Sequence, residues 1–468
     1  MNSALEKIKP YLLDIRFWII LFFAIRLVGI TNPPLETGHN WRQVTGLMVA
    51  RNFVEVDADI FHPRIDDTNG LTGIVGMEFP LMNYIHYGIS KVFGYTHWYG
   101  RQINLLVCSI GLYFFYLLAS RYFNKNVGFN ATISLLGSIW FVFSQKTMPD
   151  TFCISLIIIA LYYASNYLIK GKKWDLILFV IIGSLAILSK IPAGIYFIII
   201  PLIILFHKEK TRGIVLIVVS VIPVLLAVYW YFVWCPHLSE TYGIWYNSGR
   251  SLAVGFNELS SDMSNVLERF YFSSFVSYIF FGCFIAGVAL AIKNKAKKVV
   301  LVFLSVFVIF GLYALKSGFF FAHHNYYIIP FVPLMALVVG YAISLIKNKK
   351  IAVFILVAGV TESLANQYND FFIKDSEKYK LELEAIADKV SNPNDLIVIN
   401  GENNPQQLYL SHRKGWTCSN DLFLNEKFLR ILNKRECKYI FINKLNGELK
   451  LNYKVVFENK HYIVYRFK

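Results

Sequence analysis

Several common catalytic motifs are missing from this sequence of 468 residues. It contains no glycine-rich nucleotide-binding loop, no Walker motif, no GxSxG segment and no HExxH segment. These absences exclude the usual signatures of P-loop nucleotide enzymes, α/β hydrolases and zinc peptidases. The six cysteines are scattered and form no metal-ligand pattern, so we predict no metal site.

Charged residues are also scarce, because Asp, Glu, Lys and Arg make up only 16% of the chain. Hydrophobic residues reach 56%, and the mean hydropathy is +0.48. This composition lies well outside the range of soluble domains and predicts a polytopic membrane protein. Apolar runs of roughly 20 residues, long enough to span a bilayer, recur about eleven times. They cover residues 16–31, 102–120, 127–146, 151–169, 175–190, 192–206, 213–234, 273–292, 299–316, 327–346 and 351–368.

Basic residues outnumber acidic ones, 46 to 30, and the formal net charge is +16. Such a charge can indicate nucleic-acid binding, but its distribution argues against that function. The basic residues form short clusters in every second connector between apolar runs, for example Lys170, Lys172 and Lys173. Cytoplasmic loops of membrane proteins carry such clusters. We therefore predict a multi-pass protein of the inner or plasma membrane with a cytoplasmic N-terminus, an external C-terminal domain and no nucleic-acid partner.

The distribution of apolar runs and of helix and strand signals divides the chain into three regions. Residues 1–101 predict a first transmembrane helix and a long external loop, and residues 102–370 predict a helical membrane body. Residues 371–468 alternate helical segments with the strand segments DLIVIN, CKYIFIN, YKVVFEN and HYIVYRF. The predicted fold is thus an all-α polytopic membrane protein with a small external α/β domain.

Ionisable residues near membrane depth are candidates for function, because burying a charge there is unfavourable. Asp150, Glu36 and Glu78 lie on the predicted external side. A carboxylate in that position can take a proton from an acceptor hydroxyl or amine as a general base. The alternative for Asp150 is a structural role as the N-cap of the following helix.

Cations and aromatic groups are predicted on the same side. Arg26, Lys190 and Arg101 could bind an anionic phosphate, or could extend toward the interface. A segment late in the chain contains His323, His324, Tyr326 and Tyr327. These side chains could donate hydrogen bonds to a phosphate or a sugar, or they could form an aromatic belt at the membrane interface. The long loop adds His39, Trp41 and Arg42, which suit sugar or lipid-phosphate recognition. Alternatively, they anchor an amphipathic helix, VTGLMVARNFVEV, on the bilayer surface.

The order of these features resembles the GT-C glycosyltransferases, particularly the bacterial branch related to protein O-mannosyltransferases and the lipid A aminoarabinose transferase. The resemblance covers nearly the whole chain and rests on the long external loop and on the segments MEFPL, MPD, LSKIP and HHNYYIIPFVP. It implies a polyprenyl-phosphate-linked sugar as donor, an external acid as base, and inversion at the anomeric carbon.

Carried over residue by residue, the resemblance implies that Asp150 is the acid of the second external connector. It implies that Lys190 lies near the donor phosphate, and that His324 and Tyr327 contact phosphate or sugar. Related loops often read WRQxD, whereas this sequence reads WRQVT and has Thr45 at the acidic position. The first-loop base would then be Glu36 or Glu78, or activity would be altered or lost.

We therefore expect a membrane glycosyltransferase that moves a monosaccharide from a polyprenyl-phosphate donor to an acceptor lipid, glycan or protein. The missing nucleotide-binding loop agrees with a lipid-linked donor. No cofactor is required, although the chemistry leaves room for a divalent cation. Two alternatives stay open from the sequence: a polytopic lipid or sugar transporter or flippase, and a non-catalytic subunit that binds lipid-linked sugar.

Overall fold

A computed structural model of the chain describes residues 10, 12–36, 38–207, 209–244, 246, 249–447 and 449–468. The N-terminal residues 1–9, for which a cytoplasmic position is predicted, lie outside the described residues. The chain forms two compact units. The first takes its described residues from Met1–Ile30, Arg101–Trp230 and Asn247–Phe371, and the second from Thr31–Gly100, Tyr231–Tyr246 and Phe372–Lys468. Each unit combines segments that are close in space but distant in sequence, whereas the three regions predicted above are consecutive stretches of the chain.

The first unit is helical. Its α-helices are Ile15–Arg26, Tyr99–Tyr122 (which begins in the second unit), Lys125–Gly137, Trp140–Phe143, Pro149–Lys170, Lys173–Ser189, Ile199–His207, Lys210–Tyr229, Leu252–Ser261, Met263–Glu268, Tyr278–Lys293, Lys297–Ser317, Phe319–His323, Val332–Ser344 and Lys349–Asn366. Shorter 3-10 helices span Ile191–Ile198, Asn325–Phe331 and Tyr368–Phe371, and a π-helical turn spans Arg269–Ser273. A second π-helical turn, Trp230–Trp234, begins in the first unit and continues into the second. This architecture confirms the predicted polytopic helical fold of an integral membrane protein.

The predicted number of spans is not confirmed. Within the described residues, five helices are long and apolar enough to cross a membrane, or six if one bent pair counts as a span. Several apolar runs are interrupted instead. The run around Pro192, for example, changes from α-helix to 3-10 helix at Ile191–Ile198, because proline lacks the N–H that an α-helix needs.

The helix Pro149–Lys170 is largely buried inside this unit, since 78% of its apolar stretch is covered by other parts of the protein. Its ends follow ordinary helix chemistry. Proline stands at the first helical position, and Gly171 ends the helix with a left-handed backbone at φ 67°. An acid in the first turn and Lys170 in the last turn complement the helix dipole. The local sequence thus fixes where the acid Asp150 lies.

The second unit combines helices with a mixed sheet. Its α-helices are Asn40–Glu55, Leu81–Phe93, Cys235–Tyr242, Leu383–Val390, Gln406–Ser411 and Glu426–Lys434. Its strands are β1 Leu396–Ile399, β2 Gly415–Thr417, β3 Cys437–Asn443, β4 Lys454–Glu458 and β5 Tyr462–Arg466. The sheet order is β2-β1-β3-β5-β4. β1 pairs in parallel with β2 and β3, whereas β5 pairs antiparallel with β3 and β4. The C-terminal region therefore contains the small sheet that the strand segments predict, and it shares a compact unit with residues 31–100 and 231–246.

The helix Asn40–Glu55 belongs to the core of this unit. Val44, Leu47 and Met48 are fully buried in one apolar cluster with Ile397 of β1 and with other residues of the C-terminal region. The expectation that this segment forms an amphipathic helix on the bilayer surface is therefore wrong. Its apolar side chains are buried against the sheet rather than available to lipid.

A buried ion pair fixes this helix in place. Arg51 donates to Asp66 Oδ2 at 2.6 Å and to the backbone oxygen of Tyr409 at 3.0 Å. Asn52 donates to the other carboxylate oxygen at 2.8 Å. The guanidinium also lies 4.5 Å from the centre of the Tyr409 ring. These contacts join the long loop and the C-terminal region, which are far apart in the sequence.

We predict that Asp66→Asn destabilises the protein by about 3 kcal/mol, because it leaves a buried guanidinium without its counter-charge. The matched control is Glu426→Gln, which removes an ion pair with Arg430 that is exposed on both sides. That variant should change the stability by less than about 1 kcal/mol. Thermal unfolding of the detergent-solubilised protein measures both effects, and equal shifts for the two variants would contradict the prediction.

His412 forms a second link in the same unit. Its Nδ1 lies 2.9 Å from Glu384 Oε1 and its Nε2 lies 2.9 Å from Glu55 Oε1. The hydrogen bond to Glu55 raises the pKa of His412 above its ordinary value of 6.5, although burial and Arg51 oppose the shift. The protonated imidazole therefore holds two helices through two carboxylates.

Because the pKa of His412 is raised in the folded state, its stabilisation is complete below the unfolded pKa and is lost as the pH rises through the folded pKa. We predict that His412→Gln lowers stability by about 0.5–1 kcal/mol near pH 5.5, and by less near pH 8.5, since the link is partly exposed. Thermal unfolding of wild type and variant at the two pH values tests this. A gap that stays constant with pH would show that the link is not ionic.

Candidate functional site

Two predicted site residues of the first unit form an ion pair. Asp150 is in the first turn of Pro149–Lys170, and Lys190 directly follows the helix Lys173–Ser189 with extended backbone. Lys190 Nζ donates to Asp150 Oδ1 at 2.5 Å. The Asp150 side chain is 5% exposed and that of Lys190 is 16% exposed. The pair is thus largely buried, with its limited access on the lysine side.

Asp150 does not act as the helix cap. Met148 occupies the N-cap position and makes no side-chain capping bond, so the structural alternative considered for Asp150 is wrong. Among the described residues, Asp150 Oδ2 is buried and has no hydrogen-bond partner. A buried carboxylate oxygen without a partner is unfavourable and needs a functional or structural reason. It marks a place where a donor group could bind.

Aromatic rings cover the lysine. Lys190 Nζ lies 5.0 Å from the ring centre of Tyr326 and 5.9 Å from that of Tyr327, within the range of cation–π attraction. The His324 ring stacks on both tyrosines, at 5.4 Å and 6.2 Å. The structure thereby brings together five of the predicted residues, although they come from three separate segments of the chain.

His323 lies apart from this group in its contacts. Its Nδ1 is 3.0 Å from the backbone oxygen of Phe319, on whose ring it also stacks. Its Nε2 lies 3.4 Å from Asp262 Oδ2. His323 thus contacts Phe319 and Asp262, whereas His324 stacks on the two tyrosines.

Arg26 and Arg101 are buried structural cations in this unit. The Arg26 guanidinium lies 4.6 Å and 4.2 Å from the ring centres of Phe141 and Phe371. Arg101 Nη1 donates to the backbone oxygens of Gly29 and Ile30 at 3.4 Å. The role of both cations in phosphate binding stays a prediction.

The sequence interpretation missed Lys146. Its side chain is buried, and Nζ lies 3.5 Å from Asp370 Oδ1 and 5.3 Å from the Phe143 ring centre. It stands four residues before Asp150 in the segment SQKTMPD. The same rule that selected Arg26, an ionisable side chain beside an apolar run, could have found it.

The predicted loop residues lie in the second unit. Arg42 forms an ion pair with Glu78, and Glu36 accepts a hydrogen bond from Gln43 at 3.3 Å. Both acids are therefore engaged within their own unit, by different partners.

The remaining loop residues lie at the start of the helix Asn40–Glu55. His39 is its N-cap with a left-handed backbone at φ 59°, and Trp41 is exposed. The Thr45 hydroxyl donates to the backbone oxygen of Trp41 at 3.1 Å. Thr45 thus bonds the backbone of its own helix at the position where related loops often carry an acid.

No metal centre is evident in the part of the chain that the structure describes, because no three His, Cys, Asp or Glu side chains are grouped as metal ligands there. The six cysteines are free, and Cys418 and Cys437 of the C-terminal region are both buried. Burial raises the pKa of each of these two thiols to about 12.

We predict that Lys190→Met destabilises the protein by about 3–5 kcal/mol, because it leaves the buried Asp150 carboxylate unpaired. The double variant Asp150→Asn/Lys190→Met should recover most of that loss, since it removes both charges. Glu258→Gln, in the more exposed pair with Arg250, serves as control and should cost less than about 1 kcal/mol. Thermal unfolding of the three variants completes the comparison. A loss in the double variant as large as that in Lys190→Met would argue against a coupled pair.

Comparison with known proteins identifies the fold. Residues 78–239 match the family model for dolichyl-phosphate-mannose-protein mannosyltransferases. No curated protein matches the sequence significantly. ArnT from Cupriavidus metallidurans, bound to undecaprenyl phosphate, aligns with 96% of this chain and 98% of its own at 13% identity and a TM-score of 0.59. The archaeal oligosaccharyltransferase AglB from Archaeoglobus fulgidus, in complex with an inhibitory peptide and a dolichol-phosphate, aligns with 91% of this chain and 69% of its own at 12% identity and a TM-score of 0.57.

The ArnT match extends over nearly all of both chains, so it includes the membrane helices and the C-terminal sheet. The family match covers the segment that carries Glu78, Asp150 and Lys190. Together these findings confirm the predicted resemblance at the level of fold: the chain has the GT-C-type fold of membrane glycosyltransferases, and its residues 78–239 are similar to the protein mannosyltransferases.

Proposed function

We propose that this protein is a glycosyltransferase that moves a monosaccharide from a polyprenyl-phosphate donor to an acceptor at the external membrane face. The observation that supports this function best is the buried Asp150–Lys190 pair under the rings of Tyr326 and Tyr327. The relatives support the donor class, because ArnT is seen with undecaprenyl phosphate and AglB with a dolichol-phosphate.

Lys190 is the proposed binding group for the donor phosphate. Its ammonium has three donor hydrogens, of which one bonds Asp150, and its side chain retains some exposure. Transfer breaks the bond between the anomeric carbon and the phosphate oxygen, which leaves a polyprenyl phosphate with one more negative charge. Lys190 would stabilise that charge as it develops, the largest single contribution in many such reactions. Tyr326, Tyr327 and His324 would add hydrogen bonds to phosphate or sugar.

Asp150 is the proposed general base. Its Oδ1 is engaged by Lys190, while its Oδ2 has no hydrogen-bond partner among the described residues. That oxygen could take the proton from the acceptor hydroxyl or amine as the new glycosidic bond forms. Direct displacement of this kind inverts the anomeric carbon. Glu78 and Glu36 are the other candidates, but Arg42 and Gln43 already bond them.

One observation favours a second candidate function. Thr45 occupies the position where related loops often carry an acid, and its hydroxyl bonds its own helix backbone. A chain without that acid could bind a lipid-linked sugar as a non-catalytic subunit. We expect Asp150 to supply the base instead. The two candidate functions differ in whether the protein transfers the sugar or only binds it.

The test is reconstitution in liposomes with radiolabelled polyprenyl-phosphate sugars and a panel of lipid, glycan and peptide acceptors. We predict that Asp150→Asn lowers transfer by about 10²–10⁴, as loss of a general base does. Lys190→Ala should lower it by about 10²–10³, as loss of an anion-stabilising group does. Glu258→Gln should transfer at the wild-type rate. Glu36→Gln and Glu78→Gln show whether a loop acid participates, and added chelator tests for a divalent cation.

The outcomes separate the candidates. Binding of donor without transfer to any acceptor would favour the non-catalytic subunit. Movement of labelled lipid across the bilayer without transfer would favour a transporter or flippase. Full activity in Asp150→Asn together with loss in Glu78→Gln or Glu36→Gln would move the base to the long loop.

A further inference from the structure

Arg121 and Lys298 are two cations of the first unit that lack an acidic partner. Arg121 is in the last turn of the helix Tyr99–Tyr122, and Lys298 is in the first turn of the helix Lys297–Ser317. No Asp or Glu in the described part of the chain forms an ion pair with either side chain. Their positive charges are therefore not neutralised by a carboxylate there.

The Arg121 guanidinium is held in place by neutral groups. Its Nη1 donates to Ser165 Oγ at 2.8 Å, and its Nη2 donates to Asn166 Oδ1 at 2.9 Å. The guanidinium also lies 4.5 Å from the centre of the Tyr162 ring. Ser165 and Asn166 are both buried, so they orient the cation without cancelling its charge. A guanidinium has five N–H donors, and these two hydrogen bonds use only two of them.

Aromatic side chains connect the two cations. The Tyr122 hydroxyl lies 2.6 Å from Ser165 Oγ and 2.8 Å from His207 Nε2. Lys298 Nζ lies 5.4 Å from the centre of the Phe206 ring. Both cations are close enough to His207 to act on it electrostatically. Arg121 and Lys298 therefore border the same aromatic group, and we call the two cations the basic cluster.

The basic cluster is separate from the candidate site. Asp150 and Ser165 belong to the same helix, Pro149–Lys170, and their separation along it is roughly 22 Å at 1.5 Å per residue. The cluster thus lies toward the opposite end of this helix, on the side that the sequence predicts to be cytoplasmic. The cytoplasmic leaflet is where membranes carry anionic lipids that attract basic residues.

An apolar surface continues from Lys298 along its helix. Leu301, Val308 and Leu312 lie on the same side of the helix as Lys298, and they are exposed by 37%, 59% and 46%. The helix Lys297–Ser317 is long and apolar enough to cross a membrane. The surface therefore combines a positive charge at the helix end with an apolar face below it, which matches the headgroup and the acyl chain of a lipid.

We propose that Arg121 and Lys298 bind the phosphodiester of an anionic phospholipid, whose acyl chain lies along the exposed apolar face of Lys297–Ser317. Guanidinium and ammonium groups bind phosphate oxygens through charge-assisted hydrogen bonds. Basic pockets between transmembrane helices bind anionic headgroups on this side of the membrane. The lipid would supply the missing counter-charge and would join the helix ends that meet at the cluster. This site is additional to the proposed transferase function and does not depend on it.

The experiment separates a specific site from the general attraction of basic connectors, which membrane proteins share. Phosphatidylglycerol is the probe, phosphatidylcholine is the neutral lipid, and inorganic phosphate supplies the anion without acyl chains. Native mass spectrometry of the detergent-purified full-length protein gives the affinities, and thermal unfolding gives the stabilisation. The variant is Arg121→Gln/Lys298→Gln. The matched control, Lys349→Gln/Lys350→Gln, removes the same charge from two exposed lysines at the start of another helix of this unit.

We expect the wild-type protein to bind phosphatidylglycerol more tightly than phosphatidylcholine. The Arg121→Gln/Lys298→Gln variant should bind phosphatidylglycerol about 25-fold more weakly, about fivefold for each basic residue removed, whereas the control should bind it as the wild type does. Equal weakening in variant and control would overturn the proposal, because only general electrostatic attraction would remain. Equal affinity for the two lipids would overturn it for the same reason.

Two further outcomes are decisive. Stabilisation by inorganic phosphate as large as that by phosphatidylglycerol would overturn the proposal, because the acyl chain would then contribute nothing. The single variant Lys298→Gln decides the matter if the double variant does not fold, since Lys298 is exposed and its removal leaves the bonds of Arg121 intact. It should weaken binding of phosphatidylglycerol about fivefold, and unchanged affinity would exclude the site.

Discussion

The structure of the first unit depends on the burial of two opposite charges among apolar helices. An isolated carboxylate or ammonium in such surroundings costs several kcal/mol, and only a close partner offsets that penalty. Asp150 and Lys190 meet this requirement because each stands at a helix end, one in the first turn after Pro149 and the other just before the 3-10 segment that contains Pro192. The helix ends are therefore part of the site, because they place both side chains where they meet.

The second unit meets a different constraint, which is the joining of segments that are distant in sequence. The loop helix Asn40–Glu55 and the C-terminal sheet share one apolar cluster, and the Arg51–Asp66 pair and His412 add polar links between them. The ordering of a long loop has an entropic cost, which these contacts offset. The long loop is therefore one structural element with the C-terminal region, and a variant in either part should affect the other.

Amphipathicity alone does not tell which face of a helix is buried. The segment VTGLMVARNFVEV has apolar residues that suit a membrane surface, but the sheet covers them. In Leu81–Phe93 the apolar Ile85, Val92 and Phe93 are exposed, while Asn83 and His86 are buried and have hydrogen-bond partners inside the protein. The difference lies in tertiary partners, since both helices have enough apolar residues to occupy either position.

The sequence by itself determined the membrane class, the α/β tail and the separate candidates Asp150 and Lys190, because apolar length, strand alternation and charge at membrane depth are local properties. It missed strand β2, which has only three residues, and its number of spans is not confirmed, because proline changes the helix type at Ile191–Ile198. Only the tertiary structure decided that Asp150 bonds Lys190, 40 residues away in the sequence, and that Glu78 pairs with Arg42. It also decided that the apolar residues of Asn40–Glu55 are buried against the sheet. Those outcomes depend on which distant group satisfies a buried charge or hydrogen bond, and no local pattern in the sequence encodes that choice.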